Sequence, residues 1–314
     1  MPQTLMRLKC MGFGALASCS CKKATIEEEQ DMSIFPTKVL LATDGSQEAQ
    51  TAAATAVNLA KSTHSELHVL TVGPGSPSYD VRIPEVAEEL RRQAQEILDE
   101  QVKKIEQSRG EVAQAHLRLA EHHHPGFEHH PSDDVVRVAE EIGAGLIVVG
   151  SRGRGGVRRA LMGSVSDSVV RHAHCTVMVV RGEPVAFPTK ILVATDRSRE
   201  AKLAATTTAY LTKSTNSELH VVHVGFEQIR EESQKELDTE VDMIGESGAQ
   251  DIQAHLEFGR PDTAIIDLAE ELGAGLIVMG SRGLGGIRRA LLGSISDSVV
   301  RHAHCPVLVV RQEE

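Results

Sequence analysis

The chain is written twice. Phe35-Pro36-Thr37-Lys38-Val39-Leu40-Leu41-Ala42-Thr43-Asp44 returns as Phe187-Pro188-Thr189-Lys190-Ile191-Leu192-Val193-Ala194-Thr195-Asp196. Ser65-Glu66-Leu67-His68-Val69 returns as Ser217-Glu218-Leu219-His220-Val221, and Gly143–Arg181 matches Gly273–Arg311 at 32 of 39 positions. Two copies of more than 100 residues are a duplicated domain, not a solenoid of short repeats. The 314-residue length agrees, at roughly 150 residues per domain. Whatever one copy folds into, the chain folds into twice, so residues that carry chemistry should recur. The expected layout is an N-terminal extension over residues 1–34, a first domain over 35–182 and a second over 183–314. The boundary falls at the Gly182-Glu183-Pro184 linker. The offset between copies is 152 at Lys38/Lys190 but 130 at Gly150/Gly280, so the first copy carries 22 extra residues in its middle. Part of them lengthens the helical pattern Pro84–Ser108, and part forms a His-rich stretch from Glu121 to Pro131.

Within each copy, short and nearly continuous apolar runs (Val39–Ala42, Leu67–Val72, Leu146–Val149, Val177–Val180) read as strands buried on both faces of a parallel sheet. Helical patterns lie between them. Ser46–Lys61 is Ala-rich and opens on Ser46, a good N-cap residue. Asp133–Ile142 puts Val135, Val136, Val138, Ala139 and Ile142 on one broad apolar face. Repeated strand–helix alternation predicts an α/β fold, two tandem doubly wound open parallel sheets of the Rossmann-like kind.

Residues 1 to about 31 differ from the rest. Arg7 and Lys9 precede a short apolar stretch followed by Ser18-Cys19, which leaves three readings open: an export or lipoprotein signal with Leu16-Ala17-Ser18-Cys19 as its cleavage site, a disordered extension, or a start codon assigned too early with Met32 as the true start. Formal charge is −11, which argues against a nucleic-acid partner, since such a partner selects for a basic footprint. It gives no support for docking on anionic membranes either, and no apolar run reaches the ~18 residues a bilayer span needs. Five scattered cysteines suit a reducing, cytoplasmic compartment better than a disulfide framework.

Chemistry concentrates where the fourth strand ends. Leu146–Val149 runs into Gly150-Ser151-Arg152-Gly153, then nine residues, then Gly163-Ser164; the second copy gives Gly280-Ser281-Arg282-Gly283, nine residues, and Gly293-Ser294. A helical pattern follows each time. Glycines let a backbone approach a ligand closely, and the free N–H groups of a helix start form an anion site. Arg152, Arg154, Arg158 and Arg159, with Arg282, Arg288 and Arg289 in the second copy, make these loops positive in an acidic chain. That local inversion points to a polyphosphate.

With Thr43-Asp44-Gly45-Ser46 after the first strand and the closing Arg171-His172-Ala173-His174-Cys175, this pattern resembles the ATP-binding branch of the universal stress protein family over residues 35–181 and 187–312. The resemblance implies a five-stranded parallel sheet per domain and one adenine nucleotide, ATP with Mg2+, at each sheet's C-terminal edge. Asp44 and Asp196 would meet the ribose. Ala42, Thr43, Val72 and Val149, or Ala194, Thr195, Val224 and Met279, would bracket the adenine. Gly150, Arg152, Gly153, Gly163, Ser164 and Val165 would cradle ribose and phosphates, as would Gly280, Arg282, Gly283, Gly293, Ser294 and Ile295. One position departs from the pattern: Gly45 becomes Arg197, a cation beside Asp196 that could narrow the second site or neutralise that carboxylate.

No GxxxxGK[ST], first-strand GxGxxG or GxSxG occurs, so P-loop, dinucleotide and serine-hydrolase readings lack support. His122, His123, His124, His129 and His130 have metal-ligand composition but no counterpart in the second copy, and read as a solvated loop. His172, His174 and Cys175, like His302, His304 and Cys305, read as structural, and the cysteines as packed residues. No repeated Glu or His stands as an evident base near Gly163 or Gly293. Asp167 and Asp297 fit either a metal contact or a favourable place at a helix N-terminus. The expectation is therefore a nucleotide-binding stress-response regulator. The alternatives are a slow Mg-dependent ATPase or a protein that phosphorylates itself on Ser164 or Ser294, and a scaffold without nucleotide. The terminal strands Val177–Val180 and Val307–Val310 are expected at sheet edges, where unpaired backbone invites pairing. They should join the two domains as an internal pseudo-dimer; homodimerisation of the whole chain stays open.

Overall fold

Alternating apolar runs and amphipathic segments become strands and covering helices in the computed structural model, which describes residues 35–74, 84–120, 130–153, 162–182, 190–283 and 292–312. The first repeat runs β1 (Lys38–Ala42), α1 (Gln47–Thr63), β2 (Glu66–Gly73), α2 (Pro84–Gln107), β3 (Gln114–Leu119), α3 (Pro131–Ile142), β4 (Leu146–Gly150), α4 (Ser164–His172) and β5 (Thr176–Val180). The second runs β6 (Lys190–Thr195), α5 (Arg199–Thr215), β7 (Glu218–Gly225), a 3-10 turn, α6 (Arg230–Glu246), β8 (Gln253–Phe258), α7 (Pro261–Leu272), β9 (Leu276–Gly280), α8 (Ser294–His302) and β10 (Val307–Val310). The N-terminal extension, the linker residues Glu183 and Pro184, His122 to His129, and Arg154, Arg158, Arg159, Arg288 and Arg289 lie outside the described residues.

The strands form one ten-stranded sheet in the order β3-β2-β1-β4-β5-β10-β9-β6-β7-β8. Each half is parallel throughout, as the continuous apolar runs required. The halves meet where β5 and β10 pair antiparallel, with Val177 opposite Val309 and Val179 opposite Val307. All four valines are fully buried. The pairing expected of the terminal strands is therefore present, and strands that would be edges of each half become the centre of the whole sheet. One face packs α1, α2, α5 and α6 on Val39, Leu41, Val148, Ile191, Val193 and Val278. The other packs α3, α4, α7 and α8 on Leu40, Ile147, Val149, Leu192 and Ile277. Adjacent residues point to opposite faces, and both faces are covered, hence the unbroken apolar strands.

Sequence periodicity named four strands per copy and passed over β3 and β8. These are the outermost strands, and their side chains are largely half-buried or exposed, so no continuous apolar run marks them. Each is tied to its neighbour by an imidazole pair, buried in the first repeat and half-buried in the second: His68 Nδ1 lies 3.1 Å from His116 Nε2, and His220 Nδ1 lies 3.0 Å from His255 Nε2. Helix α1 begins as expected, with the Ser46 hydroxyl accepting from the Ala49 N–H.

Side chains also cross the seam between repeats. Arg181, just past β5, donates to the carbonyls of Val300, Arg301 and Ala303 at the C-terminal end of α8. Arg311, just past β10, does the same to Val170 and Ala173 at the end of α4. A cation at a helix C-terminus meets both the free carbonyls and the negative end of the dipole. Burial pulls Arg311 down to about 10, so it remains charged at neutral pH. Burial raises the Cys305 thiol to about 12, which keeps it protonated and inert.

Candidate functional site

Strand order reverses between β1 and β4, because β1 continues to β2 on one side and β4 to β5 on the other. In an open parallel sheet this is where the crossover helices part and a crevice opens at the strands' carboxyl ends. A cavity of about 600 Å³ lies there in the first repeat. It is lined by every first-repeat residue that the motif singled out: Ala42, Thr43, Asp44, Val72, Val149, Gly150, Arg152, Gly153, Gly163, Ser164 and Val165. These come from four separate stretches of sequence, so their meeting in one cavity follows from the fold and not from local spacing.

Each wall has a local cause. Asp44 follows β1 and turns the chain toward α1, its Oδ1 accepting from the Ser46 N–H at 3.0 Å. The side-chain cap of α1 is thus Ser46, and the Asp44 carboxyl faces across to Gly153. A Cβ on Gly153 would lie 2.4 Å from Asp44 Oδ2, so a side chain there would push the carboxylate aside. Gly150 ends β4 against the first turn of α1, where a Cβ would lie 2.9 Å from the Glu48 backbone. The start of α4 is stitched to the same strand end: Gly163 N–H donates to Ser151 O at 2.8 Å and the Ser166 hydroxyl to Gly150 O at 2.6 Å. Gly163 occupies the N-cap position and brings no side chain to it, so the first N–H groups of α4 open toward the cavity. The floor is apolar, from Leu70, Val72, Val135 and Val149. One end therefore suits a flat apolar ring and the other an anion, with Asp44 between them.

The second repeat repeats this geometry. A Cβ on Gly283 would lie 2.3 Å from Asp196 Oδ2, Gly293 N–H donates to Ser281 O at 2.7 Å, and the Ser296 hydroxyl donates to Gly280 O at 2.9 Å. Ala194, Thr195, Met279 and Gly280 are buried; Asp196, Val224, Arg282 and Gly293 are half-buried; Gly283, Ser294 and Ile295 are exposed. Arg197 takes the left-handed conformation of Gly45, with φ 66° against 74°. Its guanidinium pairs with Glu236 on α6 at 2.6 Å. Around it the second repeat has exchanged further residues. His223 stands in place of Thr71, its Nε2 3.4 Å from Glu236, and Glu240 accepts from Thr195 at 2.6 Å, where Gln101 meets Thr43 in the first repeat. Burial raises the Glu240 carboxyl above its ordinary range.

Sequence reasoning missed several cavity residues. Leu70 and Val135 read only as core and Pro131 as the end of the His-rich loop, whereas it opens α3; Arg301 could not be found because it belongs to the other repeat. Asp167, which sequence left between metal contact and dipole partner, is engaged by two guanidinia, Arg171 at 3.2 Å and Arg301 across the seam. Among the described residues no cluster of three His, Cys, Asp or Glu side chains could hold a metal ion. No helix among them is long and apolar enough to cross a membrane.

Comparison with known proteins gives one consistent result. The Universal stress protein family profile matches residues 36–181 and again 188–311. A protein of Staphylococcus aureus strain USA300 named as a universal stress protein is 36% identical over 140 residues, which is 40% of this chain and 84% of that one. The crystal structure of a universal stress protein from Archaeoglobus fulgidus DSM 4304 superposes with a TM-score of 0.68 at 27% identity, covering 88% of this chain and 96% of the other. A Pseudomonas aeruginosa UCBPP-PA14 structure shares the fold at TM-score 0.63 and 17% identity, over 89% and 95%.

Proposed function

The chain belongs to the universal stress protein family, and on that premise we propose that it is a regulatory protein that holds adenine nucleotide, with ATP at the first-repeat cavity and a second site in the second repeat. The observation that carries this reading is the convergence of eleven motif residues on one cavity that ends at the uncapped start of α4. Its volume lies within the range of ligand pockets, about 300–1,000 Å³. In this reading the apolar floor takes the adenine, the Asp44 carboxylate accepts from ribose hydroxyls, and the α4 N–H groups with Arg152 hold phosphate. The glycine at 153 keeps the carboxylate in reach of the sugar. Mg2+ would arrive on the phosphates, since it is commonly held by substrate phosphates and few protein ligands.

Binding and not turnover is the proposed role. Rapid hydrolysis needs a group that orients water, and the carboxylate nearest the phosphate end, Asp167, is occupied by Arg171 and Arg301. The second site rests on the repeated Asp196–Gly283 and Gly293–Ser281 geometry, and Arg197 is the residue that would restrict it.

The test is the nucleotide content of the purified chain: denature it, chromatograph the supernatant, and count adenine nucleotide per chain. Two equivalents support both sites. One equivalent, rising to two in Arg197→Gly, supports the first site and identifies the restriction. No nucleotide, followed by no uptake of added Mg-ATP, overturns the reading.

A further inference from the structure

Four charged side chains close a ring across the seam. Arg171 Nε donates to Asp167 Oδ2 at 3.2 Å on its own helix, and Arg171 Nη2 to Asp297 Oδ1 at 2.6 Å on the other. Arg301 mirrors this, with Nε on Asp297 Oδ2 at 3.1 Å and Nη2 on Asp167 Oδ1. Each arginine thus bridges both helices, α4 and α8, whose N-termini face the two candidate sites. The ring is not sealed off. Side chains of its four members are 28–38% exposed, and Arg301 and Asp167 both line the first-repeat cavity. Arg301 Nη1 has no hydrogen-bond partner among the described residues, although its other two nitrogens are engaged.

We propose that Arg301, carried by the second repeat, is a phosphate-binding residue of the first-repeat site and makes that site prefer nucleoside triphosphate over monophosphate. This rests on the nucleotide reading of that cavity. A guanidinium held at a cavity wall with one nitrogen unused can add a charge-assisted bond to an anion without first breaking another. Asp167 lies one helical turn into α4 from Ser164, so Arg301, bonded to it, stands at the cavity wall beside that first turn, farther along the helix than its first N–H groups. A monophosphate held at that N-terminus stops short of it. The Asp167 carboxylate beside that guanidinium offsets its charge and repels an incoming phosphate, which gives the proposal a second signature of opposite sign. Arg171, paired with Asp297 in the same way, is the reciprocal residue for the second repeat.

The experiment measures ATP and AMP affinity by calorimetry on the full chain carrying Asp196→Ala, so that the first site is read alone. Arg301→Gln should weaken ATP by about tenfold, the worth of one charge-assisted bond, and AMP by less than about twofold. Asp167→Asn should tighten ATP, because it removes the negative charge that offsets the guanidinium and repels phosphate. Solvent reaches all four members of the ring, so both variants should still fold and melt cooperatively, which a thermal scan checks. An unchanged ATP-to-AMP ratio in Arg301→Gln overturns the proposal. Parallel weakening of both nucleotides does too, since it marks an indirect effect through α4. Loss of ATP affinity in Asp167→Asn also overturns it, by showing Asp167 to be the ligand. A parent that binds neither nucleotide removes the site itself, a failure distinct from all three.

Discussion

Arg181→Met is the substitution whose cost the seam geometry specifies most directly. The guanidinium reaches from the end of β5 into the other repeat and donates to three carbonyls at the end of α8, those of Val300, Arg301 and Ala303, the last at 2.7 Å. Hydrogen bonds to a charged group are worth about 1.5–3 kcal/mol each when broken. Against this stands the cost of burying the guanidinium, whose Nε finds no partner among the described residues and whose pKa burial lowers. Methionine keeps the apolar stem but supplies no donor. Three bonds and a helix-end charge lost, less the desolvation relieved, leave a net destabilisation of about 3 kcal/mol. At roughly 2–4 °C per kcal/mol for a chain of this class, the melting temperature should fall by about 6–12 °C. Urea unfolding followed by far-ultraviolet circular dichroism gives the free energy, and a thermal scan the temperature. A loss under about 1 kcal/mol would refute the reasoning, because it would mean that water replaces the arginine at those carbonyls without penalty.

Other consequences follow from the same contacts. Val309 is fully buried at the β5–β10 pairing, so Val309→Asp places a carboxylate in a dry sheet centre; it should cost upward of about 4 kcal/mol and abolish cooperative melting, and a near-normal melt would contradict the pairing. Glu240 is buried and its folded pKa is raised, so it binds its proton more tightly folded than unfolded, and stability falls as pH rises from the ordinary value of 4.5 toward the folded one. Glu240→Gln, the residue of the first repeat, should therefore stabilise the chain by about 1–2 kcal/mol at pH 7 and remove that slope, as read by urea titration across pH. His116, His220 and His255 are held below 6.5, chiefly by burial, so the unfolded chain takes up protons first and stability is lost as pH falls below 6.5. The slope is at most about 1.4 kcal/mol per pH unit for each proton, and His116→Asn should reduce it.

What could be read from sequence divides along physical lines. Strands buried on both faces left unbroken apolar runs, and the duplication showed that each half would repeat. The Ser46 cap was legible because it depends on neighbours within a few residues, and the glycine loops because their spacing is written twice, although what Gly150 and Gly153 face, Glu48 and Asp44, lies far away in sequence. Strands β3 and β8 were not, because a sheet edge leaves alternating polar residues such as Gln114 and His116. Arg301 was hidden for a different reason: it meets Asp167, 134 residues away, only once the β5–β10 pairing brings the two helices together. The second repeat's exchanges at Arg197, His223 and Glu240 were partly visible. Arg197 stood out against Gly45, whereas its partner Glu236 lies on α6, a helix the sequence pattern did not align.

The central claim is that an adenine nucleotide sits on the α4 N-terminus between Asp44 and Gly153. Backbone hydrogen–deuterium exchange of the full chain, with and without saturating Mg-ATP, tests it most directly. The first N–H groups of α4 lack partners within the helix and should exchange fast in the free chain. Strong protection of Ser164, Val165 and Ser166, with Arg152 and Gly153, on adding Mg-ATP is the predicted result. Unchanged exchange there, with ATP bound elsewhere or not at all, would contradict it.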